Sequence, residues 1–407
     1  MILSLAWKNI WRNKPRSLVV VFAIAVGLFG ALFSSAIFIG MVDQRLSDAI
    51  RNEVANLQIH HPGFLNNREI ADTIPDAQKV LAYLTKDPRV KSVSGRIKII
   101  AMASSASGGA GVKINGICPE NERNVTALHM KISDTSGTWF ASGKKNTIVI
   151  GRKLAERLKL KLRSRVILSF QSATGDIVYG AFRVEGIYKT YNTSFDETNA
   201  FVRNDDLAPL AGLQKQQLHE ILVSLQNDNT TEQVVASVRN AFPQLETMGW
   251  KELMPDLGLM AEYTNAWLYI ILIIILLALS FGIINTMMMA VLERTREIGM
   301  LKAVGMSGKR IFLMIMSETI FLSLTGTLAG ILITLPVVQY FHQHGLNALM
   351  FSKGFEDIGF AAMIYPRLNA DSYFGLTVLV ILAAVLSSIG PSRRALRLRP
   401  VEAIRTL

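Results

Sequence analysis

The chain has 407 residues, half of them hydrophobic, and it carries 12 more basic than acidic side chains. A nucleic-acid-binding protein would gather such an excess on one soluble face. Here three short strips, residues 1–17, 293–310 and 393–407, hold net charges of +4, +3 and +4 beside long apolar stretches. The composition therefore excludes a nucleic-acid partner and predicts a membrane protein with basic connecting segments.

The first apolar stretch follows the basic N-terminal strip. Residues 17–42 contain no charged side chain, and about 20 apolar residues are enough to cross a bilayer. The run exceeds the apolar core of about 7–15 residues that a cleaved signal peptide has. We therefore predict a permanent membrane helix over residues 18–42.

Residues 43–262 alternate strand-like and helical patterns, which predicts a mixed α/β domain. Runs of period two bounded by turn residues indicate strands, and apolar residues three or four apart indicate helices. The glycine- and serine-rich run at residues 104–111 is typical of a flexible loop. Strands are expected at 57–60, 93–101, 148–150, 165–170, 181–188 and 220–225, and helices at 75–85, 153–160 and 232–242.

This segment offers no catalytic constellation. His60 and His61 are adjacent, so on a strand their side chains point to opposite faces and cannot bind one metal ion without a bend. Asp196 and Glu197 are neighbours in a predicted loop, where we expect solvated carboxylates. Cys118 is the single cysteine, so the chain can form no intrachain disulfide. We predict no catalytic, cofactor or metal site in this chain.

Three further apolar stretches qualify as membrane helices by the same length argument. They cover residues 263–292, 311–341 and 372–391.

The basic strips predict the orientation of these helices. Short loops rich in Lys and Arg stay in the cytoplasm, and the three strips fall on alternate sides of the helices. Both termini, including the tail 392–407, and residues 293–310 are then cytosolic. Residues 43–262 and the loop 342–371 are expected outside the cytoplasm.

Some residues inside the helices suggest packing and pairing. Gly27 on the first helix and Gly326 and Gly330 on the third have small-residue spacings that let helix backbones approach closely. Glu318 is an intramembrane carboxylate, and such groups are usually paired. Arg310 lies about 12 Å away along the helix. We expect a partner among the basic residues of the neighbouring loop, and a proton relay is the alternative.

The strip 293–310 connects two membrane helices and is too short to form a domain. It does not match the phosphate-binding loop pattern, because Gly308 and Lys309 have Ala303 where the first glycine belongs and Arg310 where Ser or Thr belongs. Any ATP hydrolysis must therefore come from another chain.

The residues around this strip carry a resemblance to a known family. Residues 278–330 read ALSFGIINTMMMAVLERTREIGMLKAVGMSGKRIFLMIMSETIFLSLTGTLAG, which resembles the signature of the MacB/LolC/LolE/FtsX-type ABC transporter permeases. The likeness extends to LAWKNIWRNKPRS near the N-terminus, which resembles the family's amphipathic, cytosolic elbow helix and is assigned here to residues 1–17. The tail PSRRALRLRPVEAIR is also similar.

The resemblance implies four membrane helices, with a large MacB-like periplasmic core domain between the first and the second. Two permease chains, as two copies or as paralogues, pair with a cytosolic ATPase dimer that binds ATP and Mg. The strip 293–310 then corresponds to a coupling helix seated on the ATPase. The implied contact residues are Glu293, Arg294, Arg296, Glu297, Met300, Leu301 and Lys302.

The resemblance also suggests a substrate and a location, the bacterial inner membrane. In lipoprotein-releasing members, acyl chains lie between the first two helices, which implies substrate contacts for Met41, Tyr263, Trp267 and Leu268. Anchoring in membrane lipids at the interface explains these four residues equally well.

Three functions remain open within the family. The chain is expected to release lipoproteins or another amphiphile, and a periplasmic chaperone or adaptor is a possible partner. The connection 171–180 is short, which leaves little room for the hook by which one lipoprotein-releasing subunit holds its chaperone. The alternatives are an FtsX-like regulator that activates an external partner without transport, and a MacB-like exporter of small molecules or peptides.

Overall fold

The computed structural model describes residues 6–8, 10, 12, 14–140, 144–214, 216–347, 354, 360–361, 363–368 and 370–396. The chain divides into two compact units. The helical unit comprises Met1–Val42, Tyr263–Asn347 and Met363–Leu407, and the α/β unit comprises Asp43–Glu262 with Ala348–Ala362.

Long helices dominate the helical unit and short ones the α/β unit. The α-helices of the described residues are α1 (Lys14–Asp48), α2 (Phe64–Asn67), α3 (Ala77–Lys86), α4 (Pro119–Val125), α5 (Arg152–Arg157), α6 (Thr193–Thr198), α7 (Asn204–Ala211), α8 (Thr231–Ala241), α9 (Trp250–Leu253), α10 (Pro255–Glu293), α11 (Thr295–Ala303), α12 (Gly308–His344) and α13 (Ala370–Leu396).

Helices α1, α10, α12 and α13 contain segments long and apolar enough to cross a membrane, in agreement with the four stretches predicted from hydropathy. Each of these helices extends beyond its predicted stretch at both ends. Hydropathy locates only the part of a helix that suits lipid, whereas the backbone hydrogen bonds continue into polar residues at its ends.

Small residues allow close packing among the membrane helices. A Cβ atom added at Gly326 would lie 2.8 Å from the Cβ of Ile24, and one at Gly330 would lie 3.1 Å from a backbone oxygen of α1. A Cβ at Gly27 would lie 2.8 Å from a methyl group of Leu279 on α10. The two distances of 2.8 Å are shorter than real Cβ contacts, and 3.1 Å is tighter than most of them, so α1 packs closely against α12 and α10 at glycines.

Ten of the strands among the described residues lie in the α/β unit. The strands are β1 (Leu57–His60), β2 (Val90–Ser105), β3 (Gly108–Ile117), β4 (Ile132–Gly137), β5 (Thr147–Gly151), β6 (Arg165–Gln171), β7 (Ile177–Tyr188), β8 (Asn199–Arg203), β9 (Glu220–Leu225) and β10 (Glu246–Gly249), and the helical unit adds β11 (Leu346–Asn347) and β12 (Met363–Ile364).

Six of these strands close into a ring. β2 pairs with β3, β3 with β8, β8 with β5, β5 with β7, β7 with β6, and β6 returns to β2. The pairs β3–β8 and β5–β7 are parallel and the other four are antiparallel. Strands β9, β1 and β10 extend from β2 as an antiparallel wing, and β4 adds to β7.

The hydrophobic core follows from the alternation of side chains along the strands. In β6, Val166, Leu168 and Phe170 are buried, whereas Arg165 and Ile167 are exposed. Helices α3 and α8 cover the core with apolar side chains at helical spacing. The buried residues that these two helices contribute are Ala77, Val80, Leu84, Val234, Val235 and Val238.

A buried ion network lies beside this core. Arg96 contacts the carboxylates of Glu122 at 2.5 Å and Glu220 at 3.3 Å, and Glu220 also accepts from Lys98 at 2.6 Å. The ring nitrogen Nε2 of His60 lies 3.1 Å from Glu220. Burial opposes ionisation, but the charges of Lys98 and Arg96 and the hydrogen bond with His60 hold the pKa of Glu220 well below its ordinary value. Buried charges are tolerated only when paired in this way.

The glycine-rich run 104–111 is not a flexible loop, and that prediction was wrong. β2 and β3 pair as far as Ser105 and Gly108, so a two-residue turn joins them. Ala103 and Ala110 are buried opposite each other in this hairpin. The two strands of this hairpin continue into the packed ring.

The outer loop and the termini are described only in part. Within the predicted loop 342–371, β11 and β12 pair antiparallel. Residues 348–353, 355–359, 362 and 369 of that loop and 397–407 of the predicted tail lie outside the described residues.

Candidate functional site

The charged strip, residues 293–310, forms a short helix between two membrane helices. Helix α10 ends at Glu293, Arg294 leaves the helical conformation with φ −96° and ψ 13°, and α11 begins at Thr295. Glu293 and Glu297 therefore do not lie on one continuous helix. The helical backbone is therefore interrupted at Arg294, between α10 and α11.

The C-terminus of α11 is closed by a glycine. Gly305 has φ +99°, a left-handed conformation that favours glycine. The N–H of Gly305 donates to Lys302 O at 3.1 Å, and the N–H of Met306 donates to Leu301 O at 2.9 Å. This pair of bonds is the Schellman arrangement, which satisfies the last carbonyls of a helix and reverses the chain.

An ion pair joins the strip to α12. The Nη1 atom of Arg294 lies 3.3 and 3.2 Å from the two carboxylate oxygens of Glu318. Both side chains are largely buried, with exposed fractions of 19% and 12%. The partner is Arg294 rather than Arg310, because the end of α10 lies beside α12 at this level. An intramembrane carboxylate thereby gains a compensating charge.

Two further contacts hold α11 in place. Arg12, in the N-terminal strip, forms a salt bridge with Glu297. Lys302 donates from Nζ to the backbone oxygen of Leu396 at 2.5 Å, at the end of α13. Ile298 is buried on the inner face. With the Arg294–Glu318 pair, the strip 293–310 is therefore attached to three other segments of the helical unit.

The opposite face of α11 is open and partly apolar. Arg296, Met300 and Val304 follow one another at four-residue spacing and are all exposed. Met300 has 50% and Val304 88% of its surface accessible. Leu301 and Lys302 are half-buried at its edge. Exposed apolar side chains on a helix between charged ones are typical of a protein contact.

A cavity of about 430 Å³ borders this helix, and the exposed Met300 and Val304 are among the residues that line it. Its walls combine the ion pair with flexible apolar side chains from α10, α11 and α12. The lining includes Arg12, Arg294, Glu297, Glu318, Met287, Met300, Met306 and Met314. Methionine side chains adapt to changes of shape more easily than branched ones, so α11 borders a space whose walls can repack.

The residues predicted to contact substrate lie on two helices. Tyr263 and Trp267 are one turn apart on α10 and both are exposed. Leu268 on the same helix and Met41 on α1 are half-buried. The two aromatic side chains therefore present an open surface that suits lipid, an acyl chain or another membrane helix.

In the α/β unit, the two adjacent histidines and the single cysteine have mainly structural surroundings. His60 is buried against Glu220, whereas His61 is partly exposed near Asp72. Burial raises the pKa of the Cys118 thiol. Across the part of the chain that the structure describes, no three His, Cys, Asp or Glu side chains converge to hold a metal ion.

The adjacent carboxylates Asp196 and Glu197 have different environments. Asp196 is buried and accepts from the backbone N–H of Thr190 at 3.0 Å and from its hydroxyl at 2.7 Å. Burial outweighs these hydrogen bonds and raises the pKa of Asp196 to about 7. Glu197 pairs with Arg157 at 2.5 Å on the surface. The expectation of two solvated carboxylates was therefore wrong for Asp196.

The sequence alone did not predict roles for two residues at this site, Val304 and Arg12. Val304 continues the exposed spacing of Arg296 and Met300, so a longer helical window would have included it. Arg12 is separated from Glu297 by 285 positions, and nothing in the sequence indicates that contact.

Comparison with known proteins identifies the family. A model described as the FtsX-like permease C-terminal matches residues 269–400, and a model described as the MacB-like periplasmic core domain matches residues 17–241. The second match alone spans more than half of the chain, so the chain belongs to the ABC transporter permeases of the FtsX and MacB type.

Full-length relatives are also found at low identity. An uncharacterised ABC transporter permease of Methanocaldococcus jannaschii is 21% identical over 99% of this chain and 97% of its own length. The lipoprotein-releasing system transmembrane protein LolE of Haemophilus influenzae is 21% identical over 82% of this chain and 81% of its length. LolC of Neisseria meningitidis is 23% identical over 97% of this chain and 96% of its length.

Among solved structures, the periplasmic region of MacB from Actinobacillus actinomycetemcomitans covers 53% of this chain and 98% of its own, with 12% identity and a TM-score of 0.37.

Proposed function

We propose that this chain is the non-catalytic transmembrane subunit of an ABC transporter. In this proposal a separate cytosolic ATPase dimer binds ATP and Mg, and hydrolysis there drives the release of lipoproteins or another amphiphile from the outer leaflet of the bacterial inner membrane. Both termini and the charged strip face the cytosol, and the α/β unit faces the periplasm, as the basic strips favour.

The observation that carries the proposal is the open face of α11. A helix of nine residues, Thr295–Ala303, exposes Met300 beside Arg296, with Val304 following at its end. Neighbouring exposed apolar side chains rimmed by polar ones are typical of a surface that binds another protein. An ATPase surface is the partner that the family supplies.

The attachments of α11 support a role in force transmission. Arg294 joins the strip to Glu318 on α12, and Arg12 joins Glu297 to the N-terminal strip. Closure of the ATPase dimer would displace α11, and these ion pairs would pass that displacement to the membrane helices. The methionine-lined cavity would provide room for the movement.

The cargo assignment rests on two kinds of support. LolE and LolC are named as lipoprotein-releasing transmembrane proteins and align with most of this chain. The exposed Tyr263 and Trp267 offer an aromatic surface where an acyl chain could lie. A second permease copy or a paralogue would complete the complex, and a periplasmic chaperone would receive the cargo.

Purification of the tagged chain from its native membrane tests ATPase docking. The expected result is recovery of a protein with phosphate-binding-loop peptides and ATP hydrolysis. Met300→Asp with Val304→Asp should abolish that recovery, because each places a charge in the proposed contact. The matched control is Met102→Asp in the α/β unit, since Met102 is 49% and Met300 50% exposed. Equal ATPase recovery with both variants would contradict docking at α11.

Photocrosslinking distinguishes transport from regulation. A photoreactive amino acid at Trp267 should yield adducts with acylated proteins when the ATPase is inactive. The same amino acid at Phe374, an exposed aromatic position on α13, serves as the control. Adducts without acyl groups at Trp267 would favour the FtsX-like regulator or an exporter of other molecules.

A further inference from the structure

A second, larger cavity lies within the α/β unit, distant in sequence from the charged strip. Its volume is about 750 Å³, which falls in the range of small-molecule sites. The lining is mainly polar and comes from four segments of the chain. The lining includes Ile50, Arg51, Asn56, Lys91, Arg123, Met130 and Asp228.

The charges around this cavity are mostly positive. Arg51, Lys91 and Arg123 line it, and Asp228 is the one carboxylate in the lining. Among the described residues no carboxylate forms an ion pair with Arg51 or Lys91, and Arg123 donates to the neutral backbone oxygen of Trp139 at 3.2 Å. The three cations thus produce a positive potential in the cavity, which attracts an anion.

The wall of the cavity is fixed by hydrogen bonds. Asn56 is buried, donates from Nδ2 to Asp228 at 2.6 Å and accepts from the N–H of Leu225 at 2.9 Å. The N–H of Ala127 donates to the backbone oxygen of Arg51 at 2.9 Å. Asp228 is therefore already engaged with an amide, and the shape of the wall does not depend on a ligand.

The helical turn that carries Arg51 is also held firmly. It is a π-helix, Ala49–Val54, that continues α1. Arg45 pairs with Glu53 at 2.8 Å, and Glu53 accepts from the side chain of Asn192 at 3.0 Å. These buried contacts fix the direction in which the turn presents its outer residues.

The cavity lies close in sequence to the first apolar stretch. Arg51 follows the first apolar stretch, which ends at residue 42, by nine residues, and nine residues of helix extend about 14 Å. Ile50 and Met130, of which Met130 is 75% exposed, add apolar surface to the lining. A ligand that combines an anionic group with an apolar part would satisfy both features.

We infer that this cavity binds the phosphate-bearing head group of an anionic lipid. Arg and Lys side chains form strong, charge-assisted hydrogen bonds with phosphate oxygens, and basic pockets beside a membrane recognise lipid head groups by this chemistry. A free phosphate offers the same oxygens without the apolar part. The site does not depend on an ATPase or on transport.

Hydrogen–deuterium exchange of the full-length chain in nanodiscs tests this inference. Replacing phosphatidylcholine by phosphatidylglycerol should slow exchange at residues 123–130 and 224–229. The triple variant Arg51→Gln, Lys91→Gln, Arg123→Gln should lose the protection, because a loss of about fivefold in affinity per cation compounds over three sites. Hydrogen–deuterium exchange in β5 and β8 should be the same in the triple variant as in the original chain. Unchanged exchange there would show that the triple variant is folded.

The control variant is Arg165→Gln with Arg183→Gln, two exposed arginines that face each other across β6 and β7. It should keep the protection. Inorganic phosphate with phosphatidylcholine nanodiscs forms a third arm, and protection there would identify free phosphate as the ligand of the same site. Equal exchange in both lipids and with phosphate, or protection that survives in the triple variant, would overturn the inference.

Discussion

Arg294 lies 3.2 Å from Glu318, so the segment that connects two membrane helices neutralises a carboxylate within one of them. This largely buried ion pair links the strip 293–310 to α12. Its loss would leave a charge in a poorly hydrated place, which is costlier than the loss of an exposed pair. The buried Arg294–Glu318 pair is therefore expected to contribute more to the stability of the chain than the exposed Arg12–Glu297 pair.

We expect Glu318→Gln to lower the stability of the purified chain by about 1–3 kcal/mol, because the charge of Arg294 loses its partner. Thermal unfolding in detergent measures the change. The exchanged pair Arg294→Glu with Glu318→Arg should recover at least half of the loss. A double variant no more stable than the single ones would show that the charges do not interact.

Arg12→Gln should change the free energy of unfolding by less than about 1 kcal/mol, because both partners of the Arg12–Glu297 pair are about half exposed. A double-mutant cycle with Glu297→Gln isolates the interaction. Its coupling energy should shrink further as salt is added, since exposed charges are screened. A coupling above 2 kcal/mol that persists at high salt would contradict this expectation.

Gly326→Ala should destabilise the helical unit by about 1–3 kcal/mol, because the added methyl group would overlap Ile24 at 2.8 Å. Gly30→Ala is the matched control, since an added Cβ there meets nothing within 4 Å. The control should leave the unfolding temperature unchanged or raise it. Thermal unfolding of both variants in the same detergent provides the measurement, and equal destabilisation would argue against close packing at Gly326.

Asp196 should make the stability of the α/β unit depend on pH. Its pKa is raised from 3.8 to about 7 in the folded chain, so the folded state holds a proton that the unfolded state releases. This contribution is fully present below pH 4 and is lost as the pH rises to about 7, with a slope of up to about 1.4 kcal/mol per pH unit.

The variant Asp196→Asn separates this effect from that of other groups. Asparagine keeps an acceptor for Thr190 and cannot ionise. The stability difference between the variant and the original chain should therefore grow in favour of asparagine between pH 4 and 7, as followed by chemical unfolding. A constant difference across that range would mean that Asp196 does not titrate there.

Hydropathy and alternation predicted the main elements of the fold because they reflect local physical needs. The membrane helices follow from apolar length, and strands such as β1 and β9 lie at the predicted residues. The hairpin of β2 and β3 was missed because a run of Gly, Ser and Ala has no local preference for strands. Its conformation is imposed by the neighbouring strands of the ring.

The candidate site could be located from the sequence, but its contacts could not. Charge between two apolar stretches identified the strip that contains α11. The pairing of Arg12 with Glu297 joins residues far apart in the chain and depends on how the helices pack. The high pKa of Asp196 likewise arises from burial, which the polar sequence around it does not indicate.

The six-strand ring bears on how the α/β unit comes apart. A strand at the edge of an open sheet can peel away after the loss of one ladder of hydrogen bonds, whereas removing a strand from a ring requires two ladders to break together. Strands β10 and β4 each have one neighbouring strand, so they should open first, and β1 and β9 can then follow from the open end of the wing. The slowest-exchanging amides of the unit are expected in the ring, for example in β5 and β8, whose residues are almost all buried.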